Sequence, residues 1–223
     1  MCDLDIVRQN IDKVEQHYYN PVLIVMSGLP GTGKTYISRR IKDMTDVVLL
    51  ESDLVRKILF NPPKYTRSEN ARLFDGCHSL IKEYLNEGMV VVFDATNLIE
   101  RNRRYLYTIS ETAGARLMII KVEAPFNIVK KRLTDRTNGN PRGDTSDADL
   151  LIYHRLRASE EPILKEHFVI DTSKDKIMFF PSSANFLLCR FRDFSGSEIY
   201  DELSYKGIFV RKFTHSSLTD CVR

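Results

Sequence analysis

Residues 22–35 have the sequence VLIVMSGLPGTGKT, a continuous apolar run followed by a glycine-rich turn. An apolar run of this kind is typical of a strand that is buried on both faces of a parallel sheet. The second half, from Gly28 to Thr35, matches the pattern G-x-x-x-x-G-K-[ST], and a helical pattern follows in 37–44. A strand, a glycine-rich turn and a helix in this order predict a phosphate-binding loop.

Each part of this loop has an expected role in binding ATP. Glycines let the backbone turn its N–H groups toward phosphate oxygens, and the helix that follows presents the positive end of its dipole to the same anion. We expect Lys34 to be catalytic because its ammonium reaches the β- and γ-phosphates, and the Thr35 hydroxyl to be a Mg²⁺ ligand. The predicted nucleotide-binding residues are Gly28, Gly31, Thr32, Gly33, Lys34 and Thr35.

Strand patterns alternate with helical patterns along the chain. Apolar runs at 47–50, 89–93, 117–122 and 168–170 predict four more strands. The helical stretches between them predict a parallel sheet with helices on both faces. In 4–18, apolar residues spaced by three and four predict a helix ahead of the first strand. The sequence therefore predicts an α/β P-loop NTPase fold with a five-stranded parallel sheet.

Two carboxylates stand where predicted strands end. Asp53 lies just after the second strand, and Asp94 ends the third. Ligands of open α/β sheets bind at the carboxyl ends of the strands, so both side chains should face the same crevice as the phosphate-binding loop. Arg56 lies one helical turn from Asp53, so both side chains lie on one face of the helix. Arg56 could bind an anion there, and Asp53 could accept a proton. The structural alternative is that Asp53 serves only as a helix N-cap.

Two short motifs resemble a known family. The sequence SDLVR at 52–56, and DATN at 94–97 followed by RNRR at 101–104, are similar to those of the AAA_33 / zeta-toxin-like P-loop kinases. That group includes the 5′-hydroxyl polynucleotide kinases. The resemblance spans residues 22 to about 172.

The resemblance implies roles for the residues at the strand ends. It makes Asp53 the general base that acts on the acceptor hydroxyl, and Arg56 the residue that binds acceptor phosphate. We expect Asp94 and Asn97 to contact the acceptor as well, and Asp94 to share Mg²⁺ with Thr35. The base needs no raised pKa, because positioning and charge neutralisation dominate phosphoryl transfer.

Kinases of this class also resemble one another in having an arginine-bearing lid over the phosphates. Arg132 and Arg136 lie on one helix face, and Arg142 lies in the loop-forming segment that follows. Guanidinium groups suit such a lid because they bind phosphate bidentately and stay charged. We therefore expect Arg132 and Arg136 to be catalytic. A solvated basic helix is the alternative.

The end of the chain has a different character. Turn and strand patterns predict a small α+β unit at 176–223, after a kinase domain with its N-terminal helix at 1–175. PSSANF at 181–186, KGIFVR at 206–211 and CVR at 221–223 resemble the C-terminal subdomain of histidinol-phosphate aminotransferases. The residues that bind PLP in that family would lie upstream, where the kinase domain stands. A fusion relic, a grafted binding unit and a spurious similarity are the three explanations.

Composition narrows the class of protein. The net charge of +3 is too small to indicate nucleic-acid or membrane binding by itself. The four cysteines form no C-x-x-C pair, and no stretch approaches the ~20 apolar residues of a membrane span. We expect a soluble cytoplasmic protein with no membrane partner.

The leading interpretation is an ATP- and Mg²⁺-dependent kinase. It would transfer the γ-phosphate to a hydroxyl of a small molecule or to the 5′-hydroxyl end of a polynucleotide. One alternative is a nucleotide-binding switch or scaffold that hydrolyses ATP slowly. Another is a fragment related to PLP-dependent aminotransferases without a complete active site. The sequence leaves the acceptor and the oligomeric state open.

Overall fold

A computed structural model describes residues 3–12, 14, 18, 20–137, 149–173, 177–180, 188–191, 195–205, 210–213, 219 and 221–222. The helices in these ranges are α1 (Asp3–Gln9), α2 (Lys34–Met44), α3 (Ser52–Leu59), α4 (Arg67–Asn86), α5 (Glu100–Thr112), α6 (Phe126–Thr137), α7 (Leu150–Ala158) and α8 (Gly196–Tyr205). The strands are β1 (Val22–Ser27), β2 (Val48–Glu51), β3 (Val90–Asp94), β4 (Arg116–Glu123), β5 (Phe168–Asp171), β6 (Ile177–Phe180), β7 (Leu188–Phe191) and β8 (Cys221–Val222).

The first five strands form one sheet in the order β2-β3-β1-β4-β5. All four neighbouring pairs are parallel. In this register Asp94 at the end of β3 lies beside Glu51 of β2 and Met26 of β1. The predicted five-stranded parallel sheet is confirmed, and its carboxyl edge carries the phosphate-binding loop.

Both faces of the sheet are covered by helices. Leu23 and Val25 of β1 point into a core that includes residues of α1, α3, α4 and α5. The alternating residues Ile24 and Met26 pack on the opposite face with Ile37 of α2. Because successive side chains of a strand point to opposite faces, one apolar run can fill two cores.

The N-terminal helix is shorter than the sequence predicts. We expected a helix over 4–18, but α1 ends at Gln9. The N–H groups of Asn10 and Ile11 donate to the carbonyls of Val7 and Arg8, only three residues back. This tightening is common where a helix ends. Residues 13, 15–17 and 19 lie outside the described part of the chain.

Helix α4 has a characteristic feature at each end. The Thr66 hydroxyl accepts a hydrogen bond from the Glu69 N–H at 3.2 Å, as in a capping box. Gly88 follows the helix with φ +80°, a conformation that favours glycine. At 20 residues α4 is long enough to cross a bilayer but too polar; none of the helices in the described ranges is both long and apolar enough to do so.

Close contacts divide the chain into two compact units. The first consists of Met1–Lys42 and Asp46–Thr172, and the second of Asp43–Thr45 and Ser173–Arg223. Within the second unit, β6, β7 and β8 form an antiparallel sheet beside α8, in agreement with the predicted α+β unit. Most of the segments that resemble an aminotransferase, 181–186 and 206–209 among them, lie outside the described residues. That resemblance stays a prediction, as does the proposed domain boundary at residue 175.

Candidate active site

The phosphate-binding loop joins the end of β1 to the start of α2. Gly28 has φ +148°, and a Cβ built there would lie 2.3 Å from the Val122 carbonyl oxygen of β4. Gly31 has φ +78°, and its Cβ would lie 3.0 Å from a methyl carbon of Val129. Both positions require glycine because the backbone conformation and the space exclude a larger side chain. The sequence pattern therefore corresponds to a tightly wound loop at the carboxyl edge of the sheet.

Lys34 begins α2, and its side chain folds back into this loop. Its Nζ donates to the Leu29 carbonyl oxygen at 3.0 Å, and only 9% of the residue is exposed. The Thr32 hydroxyl donates to the same oxygen at 2.8 Å. Both side chains thus lie within the loop, and the positive charge of Lys34 stands where the loop would hold a nucleotide's phosphates.

Asp94 is buried at the end of β3 and is hydrogen-bonded to the Thr35 side chain. Burial raises the pKa of Asp94 to about 6. This value already includes the lowering by Lys34 and by the bond from Thr35, and the smaller contributions with which the charges of Glu51 and Asp53 raise the pKa. Asp94 therefore lies within electrostatic reach of the loop lysine and of Asp53, as expected for carboxylates at neighbouring strand ends.

The Thr35 hydroxyl and the Asp94 carboxylate form a pair of oxygen ligands suited to Mg²⁺. This cation is commonly held by one or two protein oxygens together with substrate phosphates and waters. In the described ranges, no three His, Cys, Asp or Glu side chains gather as a metal cluster. The donor set therefore fits a metal that arrives with the nucleotide.

Glu51 is a buried carboxylate that the sequence analysis missed. Arg39 of α2 binds it through two hydrogen bonds, Nε to Oε1 at 2.7 Å and Nη2 to Oε2 at 2.8 Å. Glu51 lies beside Asp94 in the sheet, and its charge contributes to the raised pKa of that residue. Its position two residues before Asp53, at the end of a strand, was the feature that could have identified it.

Asp53 lies in the first turn of α3 and is partly buried. The N-cap of α3 is Glu51, so the alternative of Asp53 as the N-cap is wrong. Its charge acts on Asp94, so Asp53 lies near the carboxyl end of β3. The structure thus brings the predicted base close to the predicted Mg²⁺ ligand.

Arg56 follows one turn later on α3 and is 6% exposed. Its Nη2 donates to the Asn70 side-chain oxygen at 2.6 Å, and its Nη1 lies 4.0 Å from a Glu69 carboxylate oxygen. The Tyr65 ring covers the guanidinium, with 4.8 Å between the Arg56 Cζ and the ring centroid. Among the described residues, Nε and Nη1 are buried without a hydrogen-bond partner. Sequence reasoning predicted Arg56 but missed Tyr65 and Asn70.

Asn97 makes the contacts of a structural brace. Its Nδ2 donates to the Met26 carbonyl oxygen at 2.8 Å, and its own carbonyl accepts from Ser27 and Arg103. In the sequence Asn97 stands three residues before Glu100, a spacing typical of a helix cap, but the N-cap of α5 is Ile99. Its substrate contact stays a prediction, whereas its observed bonds join the DATN loop to the end of β1.

Arg103 from the arginine-rich stretch is completely buried. Besides the Asn97 carbonyl, it binds the Glu100 carboxylate at 2.8 Å and the carbonyls of Glu161 and Pro162 at 3.0 and 2.5 Å. These contacts occupy its guanidinium, so Arg103 is not placed to bind a substrate. Arg103 therefore holds the DATN loop against the segment that follows α7.

Arg132 of α6 contacts the phosphate-binding loop directly. Its Nη1 donates to the carbonyls of Gly31 and Thr32, both at 3.2 Å, and to the Thr172 hydroxyl at 2.8 Å. Burial lowers the pKa of Arg132, and the charge of Asp171 opposes this. In this arrangement Arg132 stabilises the loop through its backbone carbonyls, with Thr172 as a partner that the sequence did not reveal.

Arg136 lies one turn further along α6 and is partly exposed, and its role in a lid stays a prediction. Arg142 falls in 138–148, outside the described residues. A cavity of about 380 Å³ opens beside the loop, at the ends of β4 and β5. Its lining combines apolar and charged side chains, namely those of Leu29, Thr32, Lys121, Val122, Glu123, Ala124, Pro125, Phe126, Tyr153, Arg157, Glu160 and Asp171.

Known proteins share this architecture. The chain is 32% identical over 120 residues to L-seryl-tRNA(Sec) kinase from Methanococcus maripaludis, covering 52% of this chain and 46% of that protein. It is 25% identical over 207 residues to 6-phosphofructo-2-kinase/fructose-2,6-bisphosphatase from Aquarana catesbeiana, covering 81% of this chain and 43% of that protein. The chain thus spans less than half the length of these two relatives.

Among solved structures, Kti12 from Chaetomium thermophilum in complex with ADP-AlF3 has the same fold. The TM-score is 0.55 at 20% identity, and the match covers 69% of this chain and 91% of that chain. The sequence profile of the AAA_33 family, described as an AAA domain, matches residues 23–163, more than half of the chain. Both sequence relatives are named kinases. The chain belongs to the AAA_33 family.

Proposed function

We propose that this protein is a kinase that transfers the γ-phosphate of ATP to a hydroxyl of an acceptor that also carries an anionic group. The acceptor is a small molecule or the 5′-hydroxyl end of a polynucleotide. The kinase relatives and the phosphate-binding loop support the part of this proposal that concerns ATP as the phosphate donor. A cytoplasmic location, which composition favours, is part of the same proposal.

The proposal that the acceptor carries an anionic group rests on the surroundings of Arg56. Its guanidinium is buried, yet Nε and Nη1 have no hydrogen-bond partner among the described residues. A buried N–H without a hydrogen-bond partner is costly. The Glu69 carboxylate, 4.0 Å from Nη1, offsets part of the charge, and an acceptor phosphate or carboxylate that reached Nε and Nη1 would supply the hydrogen bonds. Asp53 lies one turn away on the same helix, so an anion on Arg56 would bring a neighbouring hydroxyl toward a carboxylate.

These positions suggest how the chain's own residues act. Asp53 accepts the proton of the acceptor hydroxyl while that oxygen bonds to the γ-phosphorus. The bond from the γ-phosphorus to the bridging oxygen breaks, and ADP leaves. Lys34 stabilises the charge on the phosphates, and the loop that Arg132 braces holds them in line with the acceptor. Arg136 would add a positive charge over the phosphates as part of the lid that the sequence predicts.

Thr35 and Asp94 would hold Mg²⁺ through one hydroxyl and one carboxylate oxygen. The metal would neutralise charge on the β- and γ-phosphates when the nucleotide is bound. The raised pKa of Asp94, about 6, falls as a cation approaches, because a nearby positive charge favours the ionised form. Asn97 and Arg103 act indirectly, by fixing the loop that follows Asp94.

ADP formation by the purified chain with MgATP tests this function. The acceptors to compare are 5′-hydroxyl oligonucleotides, nucleosides, sugars, sugar phosphates and hydroxyl amino acids. We expect one class to raise the rate strongly, and Lys34→Ala to abolish that increase. Arg56→Gln should raise the KM for that acceptor, with Lys57→Gln on the exposed face of α3 as the control. Full activity in Lys34→Ala would contradict the proposal.

A further inference from the structure

The Glu51 carboxylate and the Arg39 guanidinium form an ion pair at the carboxyl edge of the sheet. Glu51 is 6% exposed, and its two oxygens accept hydrogen bonds from Arg39 at 2.7 and 2.8 Å. A bidentate contact of this kind fixes the orientation of a carboxylate as well as its position. Such a pair adds little net stability when it is buried, because the cost of removing the charges from water offsets their attraction. Stability alone therefore explains this pair poorly.

The ion pair lies directly beside the two side chains that we assign to Mg²⁺. Glu51 and Asp94 are partners in the register of β2 and β3, so their side chains leave the sheet on the same face, from strands about 4.8 Å apart. On α2, Arg39 follows Thr35 by four residues, which places both on one side of the helix. Two contacts between α2 and the sheet therefore stand side by side, and one of them is the Thr35–Asp94 pair.

The charge of Glu51 reaches Asp94 even though Arg39 is bound to Glu51. Glu51 is one of the charges that raise the pKa of Asp94, whereas the contributions that lower this pKa come from Lys34 and Thr35 rather than from Arg39. A field that disfavours a negative charge at one point favours a positive charge there. A cation held at Asp94 would therefore be stabilised by Glu51 as well.

We propose that Glu51 and Arg39 form an outer layer of the Mg²⁺ site. The negative charge of Glu51 strengthens the binding of the cation that Thr35 and Asp94 hold, and Arg39 fixes the Glu51 carboxylate in place. Mg²⁺ usually keeps several waters when a protein binds it, and residues around the direct ligands commonly tune its affinity. This inference rests on the nucleotide site of the proposed function and adds to it two residues outside the phosphate-binding loop.

A tie between α2 and β2 is the alternative role for this pair. Loss of such a tie would weaken nucleotide binding equally with and without Mg²⁺. An outer layer of the metal site instead has opposite effects in the two conditions. With Mg²⁺ present, the charge of Glu51 strengthens nucleotide binding through the cation, whereas without Mg²⁺ the same charge repels the phosphates.

Equilibrium dialysis of ADP against the full chain, once with Mg²⁺ and once with EDTA, tests this without turnover and without a known acceptor. The ratio of the two Kd values for ADP measures the coupling between metal and nucleotide. We expect Glu51→Gln to reduce this ratio by about 10- to 100-fold, the effect typical of residues that surround metal ligands. With EDTA, Glu51→Gln should bind ADP as tightly as the wild type or more tightly.

Glu83→Gln is the matched control, because Arg8 binds that carboxylate bidentately as well, at 2.9 and 2.6 Å, between α1 and α4. It should leave the ratio of Kd values unchanged. The double variant Glu51→Gln/Arg39→Gln removes both charges of the pair, so no guanidinium loses its partner. We expect it to show the same reduction as Glu51→Gln. Urea unfolding of each variant shows whether it is folded under the conditions of the dialysis.

An unchanged ratio in Glu51→Gln would refute the inference, and so would ADP binding that weakens equally with Mg²⁺ and with EDTA. A wild-type ratio in the double variant would also refute it, because the effect of Glu51→Gln would then come from the guanidinium left without its partner. These outcomes leave the proposed function standing if the wild type binds ADP more tightly with Mg²⁺. A wild type that binds no ADP in either condition would overturn both.

Discussion

Replacing Asp94 by asparagine should stabilise the nucleotide-free protein at neutral pH. Asp94 is 5% exposed, and burial raises its pKa from 3.8 to about 6. Above that pH the folded protein must hold a buried carboxylate whose charge is disfavoured by its surroundings. Asparagine has the same shape and can still accept the hydrogen bond from Thr35, but it carries no charge.

The two pKa values set the sign and size of the effect. The folded-state value lies above the unfolded-state value, so the folded protein binds more protons between pH 3.8 and about 6. The contribution of Asp94 to stability is therefore fully present below pH 3.8 and is lost as the pH rises through about 6. A rise of about two pH units in one pKa corresponds to about 3 kcal/mol.

Urea unfolding in the absence of Mg²⁺ and nucleotide, at several pH values from about 4 to about 8, measures this effect. The two proteins should unfold at similar urea concentrations near the acid end of this range. At the alkaline end the Asp94→Asn midpoint should be higher by about 1–2 M, given a slope of about 2 kcal/mol/M. Asp135→Asn, on the exposed side of α6, is the control for removing a carboxylate. Parallel pH profiles for the wild type and Asp94→Asn would show that the buried carboxylate carries no such cost.

Three further substitutions test separate parts of the site. Asp53→Asn should lower kcat by about 10²- to 10⁴-fold with an unchanged Kd for ATP, and an equal loss of ATP affinity in calorimetry would contradict its role as the base. Arg132→Met removes the donors to Gly31, Thr32 and Thr172, so thermal unfolding should show that the free energy of unfolding falls by about 2–3 kcal/mol. Full stability in Arg132→Lys would show that the several N–H groups of the guanidinium are not needed. Arg103→Met should cost about 3–5 kcal/mol in urea unfolding, since its removal strands a buried carboxylate; a loss below about 1 kcal/mol would show that this brace is dispensable.

The sequence predicts the parallel sheet well because its strands are buried on both faces. Continuous apolar runs such as 22–26 have few alternatives to a central strand, and the glycine pattern identifies the loop and helix that come after β1. The expected helix over 4–18 is too long because apolar spacing does not locate the end of a helix. The end at Gln9 is visible only in the hydrogen bonds of Asn10 and Ile11.

The residue types of the site are predicted from strand ends, but their contacts are not. Topology alone places Asp53 and Asp94 at one edge of the sheet. The partners of Arg56 come from a different segment, 65–70, whose path depends on how α4 packs against α3. Asn97 shows the same limit, since its sequence position suggests a helix cap while its amide binds the Met26 carbonyl across the sheet.

Transfer of label from ATP carrying radioactive phosphorus at the γ-phosphate is the decisive test of the kinase assignment. The purified chain, Mg²⁺ and a panel of acceptors are incubated together, and the products are separated by charge. We predict label in a phosphorylated acceptor, with none transferred by Lys34→Ala. Label found only as inorganic phosphate, at a rate that no acceptor changes, would contradict the assignment and identify a slow ATPase instead.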